Sequence, residues 1–273
     1  MKVNGTLGII ACPILEDEIV YCREKDDQVD SVLLIRNDHS FSFERKMRDR
    51  GLDLQLLDEQ EFLRNGVQLP KEGFHWVVWM KDLGLHEEPN DLRKEILDSL
   101  EGVDNVFDGI LLFYGLCGNA LKDIHEWSSE RMRTPVDIIC SRDGKIVDDC
   151  IAAAIGGQDN YLRLLRKYPG ILYFTPGYAT NWDQLLLRME LFRGVEQGDD
   201  SMVRMVFEMA EYDTVMKIPT GLGDEGEFER CTRQFADRFD FNIKTLDKEW
   251  CNLDAVDYSY AIAKDRLAQA KRG

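Results

Sequence analysis

The chain has 273 residues, 44% of them hydrophobic and 31% charged, with a formal net charge of −17. That suits a soluble globular protein of one large or two modest domains. The acidity argues against a nucleic-acid binder, which needs a concentrated basic patch. Seven cysteines, an odd number scattered along a long chain, do not make a disulfide scaffold and read as free thiols or thiolate ligands.

In chain order, residues 7–15 form a strand candidate with Cys12 near its end. Glu16, Asp17 and Glu18 follow, an acidic opening suited to a helix over 17–24. Strands are expected at 31–36, 52–57 and 75–80, with helices at 41–50 and 59–64 between them. The run 81–90 is a loop carrying His86, and a helix starts near Pro89. The apolar strand 109–114 then enters a tight turn, Gly115-Leu116-Cys117-Gly118-Asn119, and a helix from 119 or 120 to 131.

A strand at 136–141 precedes Asp148-Asp149-Cys150 and a small-residue helix over 151–155. A helix at 160–167 and a strand at 170–174 lead to a turn at Thr175-Pro176-Gly177. Helices at 183–192 and 201–210, a strand at 214–218, a helix at 225–239, a strand at 241–246 and a helix at 258–271 complete the chain. Strand–helix alternation predicts an α/β fold, a mostly parallel sheet with helices on both faces in a Rossmann-like three-layer sandwich. A soft boundary near Asn181 divides it into lobes 1–180 and 181–273, packed as one unit. No run of about 18 apolar residues occurs and the N-terminus is unlike a signal peptide, so no membrane span and a cytoplasmic location are expected.

Four soft ligands fall at or just after strand ends: Cys12, His86, Cys117 and Cys150. Ends of parallel strands meet along one edge, where ligands collect. Three thiolates and an imidazole make a tetrahedral zinc set, although the spacing is unlike any zinc finger. Each cysteine can equally be a small buried hydrophobe. Cys117 and Cys150 stand where helix starts are expected, which favours thiolates. The carboxylates of Asp148 and Asp149 oppose that unless a cation is present; they also fit as a helix cap, Asp148 above all, or as acceptors for the His86 ring. Cys22, Cys140, Cys231 and Cys251 read as packing. His39, His75 and His125 read as surface or strand-flanking, and the basic clusters 45–48, 163–167 and 271–272 as solvated helix faces. Gly221-Leu222-Gly223 is either a weak anion site or a plain turn. Tyr178 and Trp182, after Pro176-Gly177, either line the cleft or pack in the core.

Several pieces together resemble domain-of-unknown-function family 1638: Ile10-Ala11-Cys12 followed by Glu18, Leu85-His86 with Pro89, Tyr114-Gly115-Leu116-Cys117-Gly118-Asn119, Asp148-Asp149-Cys150-Ile151, Gly156 with Tyr161, and Pro169-Gly170 to Thr175-Pro176-Gly177. The resemblance spans roughly residues 7–246. Tyr178 stands where the family more often carries tryptophan. The family is common in anaerobes, beside corrinoid-dependent methyltransferases. It implies a cytoplasmic partner of one-carbon metabolism with the cysteines and histidine as its site.

The expectation is therefore a zinc-binding protein, a possible transferase that activates a small-molecule thiol for methyl transfer. Cys12, His86, Cys117 and Cys150 are its metal ligands, and Tyr178, Trp182 and Asn119 line its cofactor cleft. The alternative is a non-catalytic accessory protein that binds a corrinoid, a corrinoid protein or a methyltransferase partner. A structural metal is a third reading.

Overall fold

The computed structural model describes residues 3–70, 72–86, 88–188 and 200–270, with the backbone alone described at 86, 187, 188 and 270. Its centre is a parallel sheet of β1 (Gly5–Ala11), β2 (Val29–Arg36), β3 (Gln55–Asp58), β4 (Phe74–Met80), β5 (Gly109–Phe113) and β6 (Val136–Ile138), in the order β3-β2-β4-β1-β5-β6. The inner strands are apolar at nearly every position because both faces are covered. Leu7, Ile9 and Ala11 of β1 enter one core, with Trp76 and Val78 of β4. Ile10 enters the other, with Val77 and Trp79.

Those two cores identify the outer layers. On one face lie α1 (Glu16–Lys25), α2 (Phe41–Asp49) and α11 (Asp254–Ala270), through Ile19, Phe43, Met47, Tyr260 and Leu267. On the other lie α3 (Glu59–Asn65), α4 (Pro89–Gly102) and α5 (Ile124–Arg131), through Phe62, Leu92, Ile96 and Ile124. The fold is thus a Rossmann-like three-layer α/β sandwich.

Two short helices, α6 (Cys150–Ala154) and α7 (Gln158–Lys167), lead out of this sheet. A second parallel sheet, β7 (Leu172–Phe174), β8 (Thr214–Lys217) and β9 (Asn242–Thr245), carries α8 (Pro176–Arg188), α9 (Ser201–Met209) and α10 (Glu225–Phe239). Its core is an edge-to-face aromatic cluster: Phe235 meets Phe174 at 4.9 Å and Trp182 at 5.5 Å. The second sheet begins at Leu172, ahead of Asn181, which lies inside α8. The terminal α11 returns to the first sheet, where Tyr260 packs on Trp76 and donates to Asp26 at 2.6 Å. Among the described residues, no helix is long and apolar enough to cross a membrane.

Three local expectations are corrected. The segment after Cys117 is a series of turns, and α5 begins only at Ile124, because Cys117, Gly118 and Asn119 all adopt positive φ (45°, 68° and 67°), which a right-handed helix cannot include. Thr175-Pro176-Gly177 is no terminal turn but the start of α8, with Thr175 Oγ1 accepting from the Tyr178 N–H at 3.2 Å. The basic run 45–48 is not wholly solvated: Lys46 is buried and pairs with Glu16 at 2.9 Å and Asp17 at 2.7 Å. The part of the expected 183–192 helix beyond 188 lies outside the described residues, as does the basic tail 271–272.

Candidate functional site

The connections out of β1 and β5 diverge. After β1 the chain turns into α1 on one face and moves outward to β2. After β5 it turns toward α5 on the other face and moves to β6. The two strands are neighbours in register, Ala11 beside Phe113, so the crevice at their C-terminal ends is the topological switch point of the sheet. Cys12 is the first residue past β1, and its N–H donates to the Phe113 carbonyl at 3.2 Å. Cys117 follows β5 by four residues.

Cys150 joins them through a backbone contact. The Leu116 N–H donates to the Val147 carbonyl at 2.8 Å and the Cys117 N–H to the Asp148 carbonyl at 2.9 Å. The chain needs glycine at 115 for this approach: a Cβ there would stand 2.6 Å from the Val147 oxygen. Asp149 then caps α6, accepting from the Ala152 N–H at 2.9 Å. The cap is Asp149 rather than Asp148, whose carbonyl is engaged by Cys117. Cys12 and Cys117 are partly buried and Cys150 is buried. The three thiols lie close enough that the other two each raise the pKa of Cys150. All seven cysteines are free.

Burial decides the charge of these thiols. It pushes Cys12 up to about 12, against a backbone hydrogen bond from Ile14. It pushes Cys117 up to about 11, against one from Gly115, and holds Cys150 well above the ordinary thiol value. The expected thiolates are therefore neutral thiols at pH 7. No helix starts at Cys117, the helix at Cys150 has five residues, and desolvation outweighs what dipole remains.

Sequence reasoning passed over two members of this crevice. Glu18, on the first turn of α1, is 2% exposed, and its Oε2 has no hydrogen-bond partner among the described residues. Burial, then the Asp17 charge, raises its pKa to about 8, and Glu18 in turn raises Cys12 and Cys150. Its neighbours Glu16 and Asp17 both pair with Lys46, whereas Glu18 feels that charge but forms no ion pair among the described residues. Tyr114 is 3% exposed with its hydroxyl unpartnered among the described residues, and both Cys12 and Cys117 perturb it. The clue for Glu18 was three consecutive acids directly after a strand-end cysteine, but burial of the third could not be read from a helix-start signal.

The remaining candidates divide. The His86 side chain lies outside the described residues; its backbone belongs to a 3-10 turn, Leu83–His86. Tyr178 and Trp182 line a cavity of about 310 Å³ that Asp149 and Cys150 also line. Asn119 is exposed on its turn and is not part of that lining. Cys22 is buried, and the Cys140 N–H donates to the Ser259 hydroxyl oxygen at 2.9 Å. His75 is buried rather than superficial, held between the Ser31 hydroxyl and the Glu72 carbonyl, each at 2.8 Å. The Gly221–Gly223 turn lines a cavity of about 340 Å³ with Arg45, Lys46 and Arg50; the Arg50 guanidinium donates to the Gly223 carbonyl at 2.8 Å, and a Cβ on Gly223 would lie 3.1 Å from the Asp17 carboxylate. Among the described residues, no group of three or more histidine, cysteine, aspartate or glutamate side chains is arranged so that it could hold a metal ion.

No curated protein and no solved structure matches this chain. A family model described as protein of unknown function (DUF1638) matches residues 80–256. That stretch includes Cys117, Cys150, Tyr178 and Trp182 but ends short of Cys12 and Glu18, and it covers well over half of the chain. The chain belongs to the DUF1638 family.

Proposed function

We propose that the crevice between β1 and β5 binds a soft divalent metal, zinc by its chemistry, through Cys12, Cys117 and Cys150. The observation that carries this reading is that thiols from three distant segments influence one another near the switch point, together with a buried carboxylate oxygen that has no hydrogen-bond partner among the described residues. Nested carboxyl and thiol groups repel one another once ionised, and a divalent cation removes that penalty. The fit is one of donor chemistry alone: among the described residues the side chains as placed form no group of three that could hold the ion, so binding requires them to move. His86, in the same family match, is the fourth ligand of this proposal.

Held by Cys12, Cys117, Cys150 and His86, zinc would supply Lewis-acid chemistry, lowering the pKa of a substrate thiol that displaced one of the four. The chain's own residues set the conditions. Cys12, Cys117 and Cys150 each give up a proton on binding. Glu18 is placed to hold a proton at Oε2, and burial excludes water from the thiol side. The association with corrinoid-dependent methyl transfer is supported by the resemblance to the family, and a corrinoid would be met on a partner protein, because a 310 Å³ cavity is far too small for the macrocycle.

Elemental analysis of anaerobically purified protein, with thiol titration, tests this directly. About one zinc per chain is expected, with fewer than seven titratable thiols until a chelator is added. A chain that retains no metal after exposure to equimolar zinc at pH 8 overturns the reading.

A further inference from the structure

Cys150 also lines the cavity of about 310 Å³, whose other walls come from α7 and from the elements of the second sheet. One wall is Asp149, Cys150 and Tyr161, from the segment leaving the large sheet. The opposite wall is Phe174, Tyr178 and Trp182, from the small one. Tyr178 packs against both cores, so the cavity is built where the lobes join.

Its chemistry is selective. Among the described residues, no lysine or arginine lines it, which leaves nothing to balance an anionic ligand. The single carboxylate, Asp149, already receives the Ala152 N–H and the Tyr161 hydroxyl, so it does not call for a cation. Trp182 already has the Arg238 guanidinium over its ring, 5.6 Å from the centroid. The Tyr173 hydroxyl is committed to the Tyr168 carbonyl at 2.7 Å. What remains is aromatic and aliphatic surface, with the Tyr178 and Tyr212 rings and their hydroxyls, and a sulfur among the lining. An apolar cavity of about 150 Å³ suffices for benzene, so this one admits a ring with a short arm, at the lower limit of ordinary ligand pockets.

We infer that this cavity binds an uncharged, ring-bearing thiol of arylalkyl type, its ring between Tyr178 and Tyr161 and its sulfur directed at Cys150. The placing of the sulfur rests on the metal reading above; the binding of the ring does not.

Benzyl mercaptan, toluene and 2-mercaptoethanol separate the two, titrated into full-length protein with and without one equivalent of zinc and followed by amide NMR shifts. Benzyl mercaptan and toluene are expected to bind the metal-free protein saturably, with 2-mercaptoethanol at least a hundredfold weaker. Zinc is expected to tighten benzyl mercaptan about tenfold and leave toluene unchanged. Leu165 is 38% exposed at the cavity wall, so Leu165→Trp blocks the cavity without touching the core, and should weaken both ring probes at least tenfold.

If the ring probes bind but zinc changes nothing, the cavity stands and the sulfur's direction falls. If neither ring probe saturates by millimolar concentration, or Leu165→Trp binds them as well as the parent chain, the inference is wrong. A crystal structure with residues 189–199 filling the space would also end it.

Discussion

Two glycine-bearing turns follow strands in this protein, and their surroundings differ. The turn at Gly221–Gly223 lines a cavity of about 340 Å³, but its charges are closed on one another: Arg50 donates to the Gly223 carbonyl, Arg45 pairs with Glu227 at 3.0 Å, Lys46 pairs with Asp17 at 2.7 Å, and Asp224 caps α10. The turn at Gly115–Asn119 is built tightly too, but among the described residues the Glu18 Oε2 and the Tyr114 hydroxyl near it have no hydrogen-bond partner, and burial keeps the three thiols there neutral. Burying polar groups without partners costs on the order of 1–3 kcal/mol each. The charges at one turn are closed on one another, whereas the other keeps buried polar atoms without partners among the described residues, and it is there that the metal is proposed.

The contrast breaks most visibly through the ligands. Cys117→Ser and Cys150→Ser should each lower zinc affinity by about a hundredfold or more, at least the loss that follows removal of outer partners at metal sites; competition with a chelator measures it. Cys140→Ser should leave affinity unchanged, and a loss there would mean that the wrong thiols were chosen. Because the bound thiols must lose protons, affinity should rise as pH climbs from 6 to 8, by about tenfold per unit for each proton released. A flat profile would show that the sulfurs are not the ligands.

At the closed side the effects fall on stability. Lys46→Met leaves Glu16 and Asp17 buried without their cation and should cost about 3–5 kcal/mol in a urea titration. Gly177→Ala should cost about 3 kcal/mol, because a Cβ at 177 would stand 2.0 Å from the Ile14 carbonyl oxygen where α8 docks on the first lobe.

Glu18 gives a smaller effect with a distinctive sign. Its folded pKa is raised to about 8 from 4.5. The unfolded chain therefore sheds this proton first, and metal-free protein loses stability as pH climbs from about 4.5 to about 8, by a few kcal/mol. Glu18→Gln should match the parent near pH 4 and exceed it increasingly up to pH 8. Equal pH dependence of the two chains would show that Glu18 is solvated. The smallest effect belongs to Arg45→Ala, an exposed ion pair, at less than about 1 kcal/mol.

Much of the fold was legible along the chain. Apolar runs at β1, β2, β4 and β5 mark strands buried on both faces, and the helix at Glu225–Phe239 begins and ends where its acidic start and apolar period say it should. The common edge of Cys12, Cys117 and Cys150 was legible in part, since strand ends of one parallel sheet share an edge whatever their order. The helix after Cys117 was misread because the backbone there is left-handed at three successive residues, and only glycine announces such a conformation in sequence. Charge state was misread at the thiols for a different reason: a residue's neighbours in sequence suggest a dipole, but desolvation depends on what packs over it.

The sequence by itself determined the alternation of strands and helices, hence a parallel three-layer sheet, because periodicity and turn residues act within a few positions of one another. The tertiary structure alone decided that β7 serves the second sheet, that α11 returns to the first, that Lys46 is shared by Glu16 and Asp17 while Glu18 is left over, and that Cys150 faces both a thiol crevice and an aromatic cavity. Those outcomes depend on pairings between residues up to some 240 positions apart, such as Tyr260 with Asp26, and no local pattern encodes a contact at that range.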